Sequence, residues 1–470
     1  MIGKRGFGAL LLVALHALAC PPPMPAYRDA LRDEGEIHLY LQPLPARAHR
    51  LDFRIAAIDA IPDHGEPVPL GTVLAEVSGR QLVGVQKRLA WGVAPPGSYR
   101  GLSIQIGKAS LRGEEGSADL ALPEEPVLVE QPFTVARKQA SALFLSLDPE
   151  GLVTSGFRFT PVFHLAGPRQ QLRGLLGFAT HTGRNLVSVF NKHTMRVVDI
   201  IATGRGPMGA AIDPRRAWVY VALAGDDAIE AIEVNTGEIL RRLELNFGDE
   251  PVEIALSPGG SLLVSANRGS NTASIIDAVS LRELDRVALP SEPTWVVVGG
   301  GTAPRAYLIQ PVSNALTAVD LSRREIAATR ILDESPVRAA LSRDGSSLYV
   351  ITRHSSDLLV IDAASLALSG RIYVGAGATS VRADPQTGLI YVGKSAGGIS
   401  VVDPTSLLPI DRFRLDGDAA YLAIDDDENS LFVVLPELRA VRKLNLVSKR
   451  GEGEIDVAEG AYAVVLMGER

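Results

Sequence analysis

The sequence holds a single cysteine, Cys20, among 470 residues. One thiol cannot build a disulfide framework, ligate an iron–sulfur cluster, or supply the paired attachment of a covalently held haem. Basic clustering is also missing. The formal net charge is −7 and no stretch concentrates Lys or Arg, which excludes nucleic acid from the expected partners. The eight histidines are scattered, without His-x-His or His-Glu-x-x-His, so no metal site is expected. No Gly-x-Ser-x-Gly elbow occurs, and no serine has an evident histidine partner. Asp425-Asp426-Asp427-Glu428 lacks the spaced carboxylates of a calcium loop and reads as a solvated turn. No cofactor is expected.

No apolar run is long enough for a permanent membrane helix. The longest, Gly6 to Ala19, follows the basic leader Met1-Ile-Gly-Lys-Arg5, and its length suits the core of a signal peptide. Leu18-Ala19-Cys20 then resembles the end of a bacterial lipobox, with Ala17 where that family usually carries Leu. The resemblance implies cleavage after Ala19 and lipidation of Cys20, a membrane anchor placed by the lipid. Pro21-Pro22 carries no inner-membrane aspartate signal, so the outer membrane or cell surface is expected. Residues 20–34 read as a Pro-rich, semi-rigid tether.

What is abundant is short strands. The 45 Gly and 30 Pro are at the level of a turn-rich β protein. The chain exceeds one compact core, and its β signal is of two kinds. Over 35–168, alternating segments such as Ile37–Leu41, Leu51–Ile55, Ser103–Gly107 and Ala142–Leu147 predict an antiparallel β-sandwich. Ala94-Pro95-Pro96-Gly97-Ser98-Tyr99 resembles the Pro-Gly turn of carbohydrate-binding-like and DUF4382-like bacterial surface domains. A polar linker, 169–174, follows.

From residue 175 to 470 the pattern is periodic. Markers at Pro207, Pro251, Pro293, Pro336, Ala378, Ala419 and Ala461 are spaced by 41 to 44 residues. An all-strand period near forty predicts a β-propeller. Six repeats are complete. The segment before them supplies three strands without an innermost one, and Ala463–Met467 supplies one strand with nothing after it. Together they predict a seventh blade closed by strand exchange between the two ends, which removes the open edges. The fold expected is therefore all-β: a sandwich followed by a seven-bladed propeller.

The repeats resemble the YVTN family of seven-bladed propellers. Val219-Tyr220-Val221, Leu348-Tyr349-Val350 and Ile390-Tyr391-Val392 stand at its Tyr-Val strand, and Ile276-Asp277, Val319-Asp320, Ile361-Asp362 and Val402-Asp403 at its Val-Ile-Asp. The resemblance implies the fold and leaves the chemistry open, since propellers host unrelated activities. The repeated aspartates are expected to accept backbone N–H groups in the turn that follows.

Loops between second and third strands share a face with the links between blades, and variable loops on a rigid scaffold are where binding resides. Candidate binding residues on that face are His181, Arg184, Arg205, Asp226, Asp227, Asn267, Arg268, Asn271, Gln310, Asn314, Arg353, His354, Asp357, Lys394, Glu437 and Arg439. The same residue types are required by ordinary solvated turns. The expected function is a membrane-tethered, non-enzymatic recognition scaffold of the bacterial envelope, presenting this face to a protein or polymer. The alternative is an envelope enzyme of the lactonase-like or quinone-dependent dehydrogenase propeller type, in which His181, Arg353 and His354 are the residues to substitute first. A third reading is an accessory subunit of a redox complex whose haem sits in the partner.

Overall fold

The computed structural model describes residues 27–114, 116–169, 171–300 and 304–469. The expected signal peptide and the lipidation site at Cys20 lie outside them. Among the described residues no helix is long and apolar enough to cross a membrane.

Seven four-stranded sheets form the propeller. Blade 1 comprises Pro207–Asp213, Trp218–Leu223, Ala228–Glu233 and Ile239–Glu244, running from the inside outward. Blades 2 to 6 begin at Pro251, Trp295, Pro336, Ala378 and Tyr421. Blade 7 takes Ala461–Leu466 as its innermost strand and Leu176–His181, Leu186–Asn191 and Arg196–Ala202 as the other three. The closing pair is antiparallel, with Phe178 opposite Val465 and Ala179 opposite Val464. The ring is thus completed by its two sequence ends.

Blade stacking explains the repeat. The middle strands are covered on both faces, so Val219 to Leu223 are all buried and read as a continuous apolar run. The outer strand of the same blade, Ile239–Glu244, is largely exposed. Pro at the first position of an inner strand costs no ladder bond. The Tyr-Val strands also join blades: the Tyr220 hydroxyl donates to Ala278 O in blade 2 at 2.7 Å, and Tyr307 to Ala363 O in blade 4 at 2.9 Å. The repeated aspartates accept turn N–H groups as expected. Asp277 accepts from Ser280 N at 2.7 Å, Asp362 from Ser365 N at 2.8 Å and Asp403 from Thr405 N at 2.9 Å.

Before the propeller stand a five-stranded and a seven-stranded sheet sharing one core that includes Ile37, Phe53, Leu89, Ile104 and Leu145. Tyr99, beyond the Pro-Gly turn, points inward: its hydroxyl donates to Pro95 O at 2.8 Å and its ring stacks on Phe133 at 5.1 Å. One detail departs from the expected antiparallel arrangement. Gly35–Leu41 runs parallel to Ala140–Leu147, because the intervening chain crosses to the other sheet and returns in the same direction, as a parallel pair requires. Within Gly156–Thr160 only Arg158–Phe159 pairs as strand.

The sandwich is packed on the propeller. Tyr40, Ala142 and Phe144 enter the same apolar cluster as Phe190, Met195 and Val197. Gln86 donates from Nε2 to Val197 O at 3.0 Å and accepts from Val197 N at 2.8 Å. One side chain thereby caps the outer edge of blade 7 as a neighbouring strand would. Residues 27–34, expected within the semi-rigid tether, are also held. The Tyr27 ring lies against Gly206 and Gly225, and Asn185 Nδ2 donates to Arg28 O at 2.8 Å and Asp29 O at 3.3 Å. The absence of side chains at the two glycines makes room for the ring.

Candidate functional site

The loop face is divided into two sectors. Over blades 7, 1 and 2 its charges are consumed internally. Arg205 Nε bonds Asp226 at 2.6 Å, and Arg242 bridges Asp226, Glu230 and Glu244 at 3.1, 2.8 and 2.6 Å. Asp227 accepts from the backbone of Gly248 and Glu250 at 2.8 Å each, and Arg268 pairs with Glu250 at 3.1 Å. Arg184 lies 3.9 Å above the Trp91 ring of the sandwich. Tyr27 and the residues after it lie over this sector.

Three candidates placed in loops by sequence are instead buried ends of second strands. His181 approaches Ser188 Oγ at 2.9 Å, Asn267 donates to Ser274 Oγ at 2.8 Å, and Gln310 donates to Thr317 Oγ1 at 2.7 Å. They bond within their own blades and are buried, with His181 Nδ1 and Gln310 Oε1 left without a hydrogen-bond partner. Burial, with the nearby Arg88 charge, pushes the His181 imidazole down to about 3. Asn271 and Asn314 hold φ of 55° and 52°, the left-handed turn conformation that Asn tolerates.

Over blades 4 to 6 the face is open. Arg353, His354, Glu437 and Arg439 are exposed and make no ion pair among the described residues. Asp357 and Lys394 are half-buried, with Lys394 donating to Val374 O. Between these loops a cavity of about 340 Å³ leads toward the axis, lined by Arg353, Thr379, Ser395, Asp418 and Arg338. Asp418 Oδ1 is buried there without a hydrogen-bond partner.

A second constellation, in the central channel, was not among the residues singled out by sequence. The residue two places after each repeat marker lies on the inner strand. Around the ring these residues are Gly209, Glu253, Trp295, Arg338, Ser380, Tyr421 and Ala463. Arg338 fills the waist. Its guanidinium lies 4.4 Å from the Trp295 ring centre and 5.4 Å from that of Tyr421, two rings that meet edge-on at 5.7 Å. Trp295 Nε1 is fixed by Ala339 O at 2.9 Å, and Arg338 also donates to Ala420 O.

Away from the loops the channel widens to about 580 Å³, lined by Glu253, Arg338, Arg382, Tyr421 and Glu469 among apolar inner-strand residues. Arg382 and Glu469 pair at 2.7 Å. Glu253 is 2% exposed, and its Oε2 has no hydrogen-bond partner. Burial pushes its carboxyl up to about 8, against the opposing pull of Arg338. Burial also raises Tyr421, Tyr462 and Glu469. The signal for this site was a charged residue inside an apolar inner strand, as in Pro251-Val-Glu-Ile-Ala-Leu256 and Pro336-Val-Arg-Ala-Ala-Leu341.

Of the four consecutive acids in blade 6, Asp426, Asp427 and Glu428 lie in the expected turn, whereas Asp425 ends the inner strand. Asp425 is fully buried, and Lys192 Nζ reaches it at 2.6 Å and Asp427 at 2.9 Å. Lys192 supplies the countercharge, so the acidic run is partly structural.

No known family's model matches the chain. A stretch of 119 residues, 24% of the chain, is 31% identical to a seven-bladed β-propeller protein of Mycobacterium tuberculosis, of which it spans 30%. Among solved structures, a functionally unknown protein of Desulfotomaculum acetoxidans superposes with a TM-score of 0.56 at 12% identity, over 62% of this chain and 98% of that one. Hydrazine synthase of Kuenenia stuttgartiensis gives a TM-score of 0.49 at 16% identity, over 55% of this chain and 88% of that one. A dihydro-haem d1 dehydrogenase also gives 0.49, at 12% identity, over 64% and 77%. The likeness to the Desulfotomaculum protein is one of fold.

Proposed function

We propose that this propeller, joined to its sandwich, is a non-enzymatic recognition scaffold of a bacterial envelope, and that its partner, a protein or polymer, docks on the loop sector of blades 4 to 6. The observation that carries this reading is the division of the loop face. One sector spends its charges on itself and is covered by the chain, whereas the other leaves Arg353, His354, Glu437 and Arg439 exposed and unpaired among the described residues. Exposed charges on a rigid rim steer and orient a partner at little conformational cost.

The proposed membrane anchor fits the same geometry. Tyr27 is seated on the loop face, and seven positions separate it from Cys20. A fully extended chain of that length reaches about 25 Å. A lipid on Cys20 therefore keeps the loop face near the bilayer, and outer-membrane placement puts the partner in that layer or just beyond it. The test is a pull-down from envelope extract with the mature chain as bait. Charge reversal at Arg353 and Arg439 together is expected to release the partner, and reversal at Arg205 to leave it bound. Capture that ignores the first pair of reversals contradicts the reading.

A second reading, an envelope enzyme, is favoured by one observation: the Glu253 carboxyl, held near 8, is poised to exchange protons near neutral pH. Turnover of a lactone panel, abolished by Glu253→Gln in folded protein, establishes it; no turnover and no bound chromophore dismiss it.

A further inference from the structure

The wide end of the channel is a separate case from the loop sector and stands without it. Its charge does not balance. Arg382 and Glu469 neutralise each other at 2.7 Å. Arg338 has no ion pair among the described residues and is held only by two aromatic faces and the Ala420 carbonyl. Glu253 lines the same space, buried, with an oxygen that nothing satisfies. A buried polar atom left unpaired costs about 1–3 kcal/mol, and each such atom in a native fold calls for an explanation.

The size and lining define what fits. About 580 Å³ lies within the range of small-molecule sites. Ile212, Ile254, Val297, Leu341, Val381 and Leu422 supply apolar wall. We propose that this mouth of the channel binds a small organic monoanion, a carboxylate on an apolar body, with the carboxylate on Arg338 and the body against the inner strands.

The remaining groups are consistent with an anion and unsuited to a cation. Burial keeps Glu253 protonated at neutral pH, so it donates its O–H to a carboxylate instead of repelling it. The other titratable groups facing Glu253 are Tyr421 and Tyr462, both held neutral by burial. Stacking on Trp295 and Tyr421 fixes the guanidinium plane in advance, which lowers the ordering cost of a bidentate contact. The loss of one planar donor set is the loss of the site.

The experiment is calorimetric titration of the mature chain with octanoate, octanamide and octylammonium at pH 7, with Trp295 emission as a second readout. Octanoate is expected to bind and shift the emission, and the amide and the amine to bind at least about tenfold more weakly. Arg338→Met is expected to lose at least about tenfold in octanoate affinity, while Glu253→Gln, which keeps a donor, stays within about threefold. Arg338→Lys keeps the charge without the fork and separates site loss from misfolding. Absence of octanoate binding, equal binding of the amine, or an unchanged affinity in folded Arg338→Met overturns the proposal.

Discussion

Lys192 and Asp425 form an ion pair with no solvent exposure on either side chain, 2.6 Å from Nζ to Oδ1. Lys192 follows a strand of blade 7, and Asp425 ends the inner strand of blade 6. The same ammonium donates to Met467 O at 2.6 Å, just past the final strand. One cation therefore ties the closing strand to an outer part of its own blade and to blade 6. Lys192→Met strands the Asp425 carboxylate and is expected to cost about 3–5 kcal/mol. Adding Asp425→Leu is expected to return part of that loss. Denaturant unfolding of the two variants checks the order: a single variant as stable as the parent contradicts the clasp.

His181 makes stability fall with acid. Its folded-state value near 3 lies below the ordinary value of an exposed imidazole, so the unfolded chain takes up the proton first. The stability it contributes is complete above about pH 6.5 and is lost as pH falls toward 3. At pH 5 the loss is about 2 kcal/mol. His181→Gln is expected to flatten the stability profile between pH 6.5 and 4, measured by thermal unfolding in matched buffers.

Glu253 works in the opposite direction. Its carboxyl is raised to about 8, so the folded state holds a proton that the unfolded chain releases above the ordinary carboxylate range. Stability is complete at low pH and declines as pH rises toward 8. Glu253→Gln is expected to be more stable than the parent at pH 8, by up to about 4 kcal/mol, and equal to it near pH 4. A residue that lowers stability at working pH is best accounted for by a ligand that uses it.

Tyr27 fixes the chain's entry onto the loop face. Tyr27→Ala removes a half-buried ring from its seat between Gly206 and Gly225 and is expected to cost about 1–2 kcal/mol. The more specific sign is proteolysis: cleavage between residues 28 and 34 is expected to quicken while the blades stay intact. Unchanged cleavage places the segment's hold elsewhere, in Asn185 and the Arg28–Glu36 pair.

Much of this architecture was legible in the sequence. Stacked blades impose one burial pattern seven times, so the markers at Pro207, Pro251 and Pro336 keep register, and the unmatched strands at both ends announce the closure. Asp277, Asp362 and Asp403 were legible because a turn acceptor acts on its own neighbours. Pairings within the sandwich were not: nothing local tells Gly35–Leu41 that its parallel partner begins about a hundred residues later. The channel charges were visible as letters, yet Glu253 and Arg338 are brought together only by ring geometry. His181, Asn267 and Gln310 were misplaced because a polar residue at a strand end looks like a loop residue until its in-blade partner is known.

The central claim is that recognition runs through one sector of the loop face. Site-specific photocrosslinking in intact cells tests it most directly, with the photoreactive residue placed at position 353, 439 or 205. The account predicts one discrete adduct from 353 and 439 and none from 205. An adduct from 205 alone, or none from any position, contradicts it.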